Sequence, residues 1–84
     1  MNLYKKCLER WGEKSQIHQA MGECGEFIAD AQNFNRGKIG LESLLGEAVD
    51  VYIMMLQMRE LDPELFDELK EKTLKRIQEK VNPS

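Results

Sequence analysis

At 84 residues with a net charge of −3, the chain has room for one domain, 1–84. It buries only about 60 to 65% of the surface its unfolded form would expose, so self-association into a dimer or tetramer is expected. The acidic balance supplies no broad cationic field for duplex nucleic acid, although a metal ion can carry a polyphosphate into an acidic pocket. No run approaches the roughly 20 apolar residues of a membrane span, and Lys5, Lys6, Glu9 and Arg10 break up the apolar start of the chain. A signal-peptide core is therefore not expected and a cytoplasmic setting is, where Cys7 and Cys24 stay reduced.

Helix-forming residues dominate and no segment alternates apolar and polar side chains, which predicts an all-α fold. The first helix is expected from an Asn2 cap to Trp11, with Leu3, Tyr4, Cys7, Leu8 and Trp11 on its packed face and Gly12 as its stop. The second is expected from a Ser15 cap to about Phe34, before a basic loop, Asn35-Arg36-Gly37-Lys38-Ile39-Gly40. The third spans about Leu41 to Leu61. The fourth has the plainest start, with Asp62 as cap, Pro63 in the first position and Glu64 in the first turn. Its apolar stripe is Leu65, Phe66, Leu69, Thr73, Ile77 and Val81. The two central helices carry acids, flanked by N- and C-terminal helices.

Between Ser43 and Gln57 the only charged side chains are Glu47 and Asp50, in a run otherwise made of apolar residues, Gly and Tyr. Three residues apart, they lie about 60° from one another on the helical wheel, and Ser43, Met54 and Gln57 share their strip. Such a strip is either the watered edge of a core helix or a site. The second helix repeats it, with Gln19, Glu23, Glu26 and Asp30 on one face and Ile17, Ala20, Met21, Cys24, Phe27 and Ile28 forming the apolar face. Gly22 and Gly25 lie beside the acids, and since each costs about 1 kcal/mol in a helix relative to alanine, a close neighbour is expected there.

If the two helices pack antiparallel, Glu23, Glu26, Glu47 and Asp50 converge, and carboxylates so placed repel unless a cation joins them. Oxygen donors without histidine or cysteine suit Mg²⁺, with Mn²⁺ as a second choice. The chain has no Glu-x-x-His pair, which argues against a di-iron bundle.

Gly22-Glu23-Cys24-Gly25-Glu26-Phe27 and Glu47-Ala48-Val49-Asp50-Val51 resemble the paired acidic motifs, E-x-x-E and E-x-x-D, of the all-α nucleoside triphosphate pyrophosphohydrolases, the MazG-like and dCTPase-like group. The similarity runs from Trp11-Gly12 through Arg36-Gly37-Lys38 to Gln57, somewhat over half the chain. Many MazG-like members have a further acid where this chain has Gly22; other members have glycine there. The resemblance implies a four-helix subunit in an oligomeric bundle. It also implies Mg²⁺-dependent cleavage of a nucleoside triphosphate to its monophosphate and pyrophosphate, for nucleotide-pool control or house-cleaning.

The resemblance further implies that Glu23, Glu26, Glu47 and Asp50 hold the metal and carry the catalysis. Trp11 and Gln16 would lie near the nucleoside, by stacking and hydrogen bonding, against the alternative that Trp11 is a core aromatic. Arg36 and Lys38 would reach the phosphates, or stand in water as loop charges. His18 lies away from the acidic strip, while Tyr52, Met54, Met55 and Met58 read as packing. The rival to an enzyme is a helical interaction module in which the acids bind a structural ion.

Overall fold

The first helix, α1 (Leu3–Trp11), starts where the Asn2 side chain accepts a hydrogen bond from the Lys5 backbone N–H at 2.8 Å. The same residue's Nδ2 donates to Glu60 Oε1 at 2.6 Å, joining the start of α1 to the far end of the third helix. At Gly12 the backbone turns to φ +90°, a region open to glycine, while its N–H still donates to Leu8 O at 2.8 Å. One residue thus both closes α1 and redirects the chain. In this computed structural model, which describes residues 2–83, α2 (Glu13–Asn35) begins at once. Ser15 therefore sits inside the first turn of α2 and is not its cap, because Gly12 leaves no extended residues for a side-chain cap to occupy.

A turn through Gly37, at φ +74°, leads into α3 (Leu41–Arg59). That helix stops two residues short of the expected Leu61. Glu60 and Leu61 form a tight turn, its N–H groups donating back to Gln57 O and Met58 O, which frees Asp62 to leave the helix. Asp62 Oδ1 then accepts from the Leu65 N–H at 3.0 Å and starts α4 (Pro63–Val81). The cap is the one the sequence predicts. Among the described residues the fold is all-α, and none of its helices is long and apolar enough to cross a membrane.

The central unit is an antiparallel hairpin of α2 and α3, with α1 packed on both and α4 meeting α3 alone. The most buried residues are Leu8, Gln16, Ala20, Met54 and Gln57, so the core is the hairpin seam together with the underside of α1. No residue of α4 is buried. An elbow fixes its departure: Arg59 grips Asp67 with two hydrogen bonds, Nε to Oδ1 at 2.9 Å and Nη2 to Oδ2 at 2.7 Å. The radius of gyration is 15.6 Å, against about 12 Å for a compact domain of this length.

α3 is apolar nearly all round and only one side of it is covered. Met54 and Gln57, on the strip that carries the acids, are its buried residues, whereas Leu41, Leu45, Val49 and Tyr52 are between 52% and 60% exposed. The strip is divided: Met54 and Gln57 are buried and Glu47 is half-buried, together with apolar Leu44, Val51, Met55 and Met58, while Ser43 and Asp50 are exposed; a second apolar row looks outward. Tyr52, read as a packing residue, is on that outer side, and Trp11 is 58% exposed and no core aromatic. A side-chain carbon added at Gly22 or Gly25 would meet nothing within 4 Å. The close neighbour expected at these glycines is not supplied by the described residues of the subunit.

Candidate metal centre

Near the loop end of the hairpin, Ser43 Oγ donates to Asp30 Oδ2 at 2.8 Å. Successive turns away from the loop, at 3.6 residues per turn, then bring Glu26 and Glu23 of α2 beside Glu47 of α3. One carboxylate oxygen from each of these three residues lies within 4.8 Å of the others. Asp50, exposed one turn further along α3, stands outside that group of three, yet its charge acts on Glu47.

Glu47 is held above the ordinary glutamate range, chiefly by loss of hydration and then by the charges of Glu26, Asp30, Asp50 and Glu23. Like charges and burial both disfavour its ionised form. Two carboxylate oxygens, Glu23 Oε2 and Glu47 Oε2, are shielded from solvent with no hydrogen-bond partner. Buried acceptors are ordinarily satisfied, and no cationic side chain answers these. The ion pairs of the described residues, Arg59–Asp67 and Lys72–Glu68, belong to the elbow and to α4. Hard oxygen donors with unused lone pairs, pressed together without a counter-charge, fit Mg²⁺ or Mn²⁺.

Toward the open end of the hairpin, Gln19 Nε2 donates to Glu23 Oε1 at 3.3 Å. Gln19 also lines a shallow depression with Trp11, Ser15 and Gln16. Gln16 is only 7% exposed, so its side chain forms a fixed floor. The structure thus brings Trp11 and Gln16 onto a surface that adjoins the carboxylates. It does not do this for Arg36 and Lys38, which are exposed in the turn. Arg36 lies about 15 Å along the α2 axis from Glu26, at 1.5 Å per residue.

Two further residues belong to the seam. Asp30 accepts the hydrogen bond from Ser43 across the hairpin, and its spacing of four from Glu26 marks it in the sequence. Gln57 is 5% exposed; its Nε2 donates to Met54 Sδ at 3.7 Å and its Oε1 has no partner. His18 is exposed and takes no part.

Compared with protein-family models, curated proteins and solved structures, the chain matches none.

Proposed function

We propose that the protein is a Mg²⁺-dependent nucleoside triphosphate pyrophosphohydrolase, with Glu23, Glu26, Glu47 and Asp50 as metal ligands and catalytic carboxylates. The observation that carries this reading is the trio Glu23, Glu26 and Glu47, mutually within 4.8 Å, with two shielded oxygens left unpartnered. That the metal would serve a polyphosphate is what the resemblance of the paired acidic motifs implies. When bound, the ion would neutralise the phosphates and lower the pKa of a water.

The chain's own residues do the rest. Ser43 and Asp30 join the two helices one turn from the acids, on the loop side. Gln19 orients Glu23 through its hydrogen bond, and positioned groups of this kind convert binding into rate. Trp11, exposed beside the Gln16 floor, offers a face on which a nucleobase can stack. Arg36 and Lys38, at the turn, would reach phosphates only at the loop end of the hairpin. A cytoplasmic setting and a homo-oligomeric state complete the proposal, supported by two unbridged thiols, Cys7 and Cys24, and by the open shape of the subunit.

The alternative is a helical oligomerisation module with a structural ion. It is favoured by the large apolar side chains left uncovered on α3 and α4. The two readings part in one assay: incubation with Mg²⁺ and a panel of canonical and modified nucleoside triphosphates, with release of monophosphate and pyrophosphate measured. Hydrolysis lost in both Glu47→Gln and Asp50→Asn supports the enzyme. No cleavage of any triphosphate, or cleavage indifferent to both substitutions, rules it out, and release of orthophosphate with a diphosphate assigns a different reaction.

A further inference from the structure

The depression beside the carboxylates has a polar wall that a metal ion alone does not use. Its volume is about 380 Å³ and it is lined by Trp11, Ser15, Gln16 and Gln19, at the small end of the roughly 300 to 1,000 Å³ of ligand sites. Ser15, Gln16 and Gln19 are neighbours on one face of α2, at separations of three and four residues. Trp11 joins them from the end of α1. One turn of α2 beyond Gln19 stands Glu23, a member of the trio.

Gln19 therefore spans the boundary between the depression and the carboxylates. Its Nε2 donates to Glu23 Oε1 at 3.3 Å. An ionised carboxylate only accepts, so the amide has to turn its NH₂ group to Glu23 and its oxygen away. The acid thus sets the polarity of this side chain. What Gln19 has left to offer the depression is Oε1, an acceptor with unused lone pairs, and whatever lies against it has to supply a hydrogen. Ionised phosphate oxygens only accept, so the polyphosphate cannot be that partner.

We infer that Gln19 is a specificity residue that accepts a hydrogen bond from a sugar hydroxyl of the nucleoside triphosphate, an inference that rests on the hydrolytic reading proposed above. The order of the protein groups matches the covalent order of the substrate. The phosphates belong with the ion at Glu23, Glu26 and Glu47. The sugar comes next, and Gln19 lies one turn, about 6 Å, along α2 from Glu23. The base comes last, and Gln16 lies a further three residues along the helix, in the depression that Trp11 also lines. A hydroxyl is the donor that ribose and deoxyribose both carry in the middle position, whereas exocyclic amino groups occur on some bases only and lie further from the phosphates. The site then selects a triphosphate whose sugar keeps its hydroxyl, and one amide holds both that hydroxyl and a metal ligand.

The test compares three triphosphates of one base, with ribose, 2′-deoxyribose and 2′,3′-dideoxyribose, on the full-length protein with Mg²⁺. Each is assayed with the wild type and with Gln19→Met, which keeps the length of the side chain and removes both polar atoms. In the wild type kcat/KM should fall at least about fivefold where the accepted hydroxyl is removed, the scale of one neutral hydrogen bond, and the step at which it falls identifies the hydroxyl. In Gln19→Met that step should disappear, on top of any common loss from releasing Glu23. Helix content by circular dichroism confirms folding of the variant. A wild type that cleaves all three sugars equally overturns the inference and leaves hydrolysis standing. So does a step of the same size in Gln19→Met, the signature of a residue that acts on Glu23 alone. Cleavage of no triphosphate of any base removes the hydrolytic reading, and this inference with it.

Discussion

Replacing Glu47 by glutamine should move the stability of the protein in opposite directions without and with Mg²⁺. Without the ion, ionised Glu47 is disfavoured by lost hydration and by Glu26, Asp30, Asp50 and Glu23, so the neutral amide raises Tm. With the ion, the wild type gains and the variant does not. At a free concentration ten times Kd, a ligand that binds only the folded state contributes RT ln 11, about 1.4 kcal/mol. An 84-residue chain has an unfolding entropy of roughly 0.18 kcal/mol per kelvin, so the wild-type Tm should rise by about 8 °C. The assay is a thermal melt followed by circular dichroism at fixed protein concentration, across a Mg²⁺ titration with Na⁺ used to hold ionic strength. If Mg²⁺ shifts both proteins equally, or neither, the carboxylate trio is no metal centre. A lower Tm for Glu47→Gln in the absence of Mg²⁺ would show that repulsion in the trio does not limit stability.

The pH dependence follows from the same residue. The folded pKa of Glu47 lies above its unfolded value, so its destabilising effect is absent at low pH and grows as pH rises through the raised pKa. Urea midpoints of the metal-free protein should therefore increase as pH falls toward the ordinary glutamate value, and this trend should vanish in Glu47→Gln. Asp67 has the opposite sign: the hydrogen bond from Arg59 lowers its pKa, so its contribution is present above the ordinary aspartate value and is lost as pH falls below it. Removing the α4 cap with Asp62→Ala should cost about 1 kcal/mol, seen as a drop of roughly 5 °C in Tm. Trp11 is the only tryptophan, so stacking of a nucleobase beside Gln16 should quench its fluorescence on addition of a nucleoside triphosphate with Mg²⁺; a signal that does not change removes Trp11 from the substrate surface.

The parts of the fold that depend on neighbours in sequence were legible. Asp62-Pro63-Glu64 marks the start of α4 because a carboxylate cap and a residue with preset φ act locally, and the structure has both. The start of α2 lies three residues before the expected Ser15 cap because serine at position 15 has capping chemistry, while Gly12 turns the chain so tightly that no side-chain cap is used. Spacing also found the acidic strips of α2 and α3. It could not say which way the α3 strip faces, because a wheel gives angles around a helix and not what lies on each side. The rule that apolar faces turn inward decides little for a helix apolar nearly all round: Leu44, Val51, Met55 and Met58 are half-buried, while Leu41, Leu45, Val49 and Tyr52 are left open. Asp50 shows the same limit. It shares a strip with Glu47, but 60° on the wheel is enough to leave it exposed while Glu47 turns into the seam.

The two-sided α3 helix should leave a mark on how the chain tolerates change. In an ordinary domain a saturation library records buried apolar positions as intolerant and exposed ones as permissive. Here Leu45, Val49 and Tyr52 are open to solvent in the subunit yet should reject charged replacements, and Glu47, turned inward, should accept glutamine in any selection that scores folding alone. A fitness map read on the conventional assumption would add to the core an outer row of the third helix that is open in the subunit.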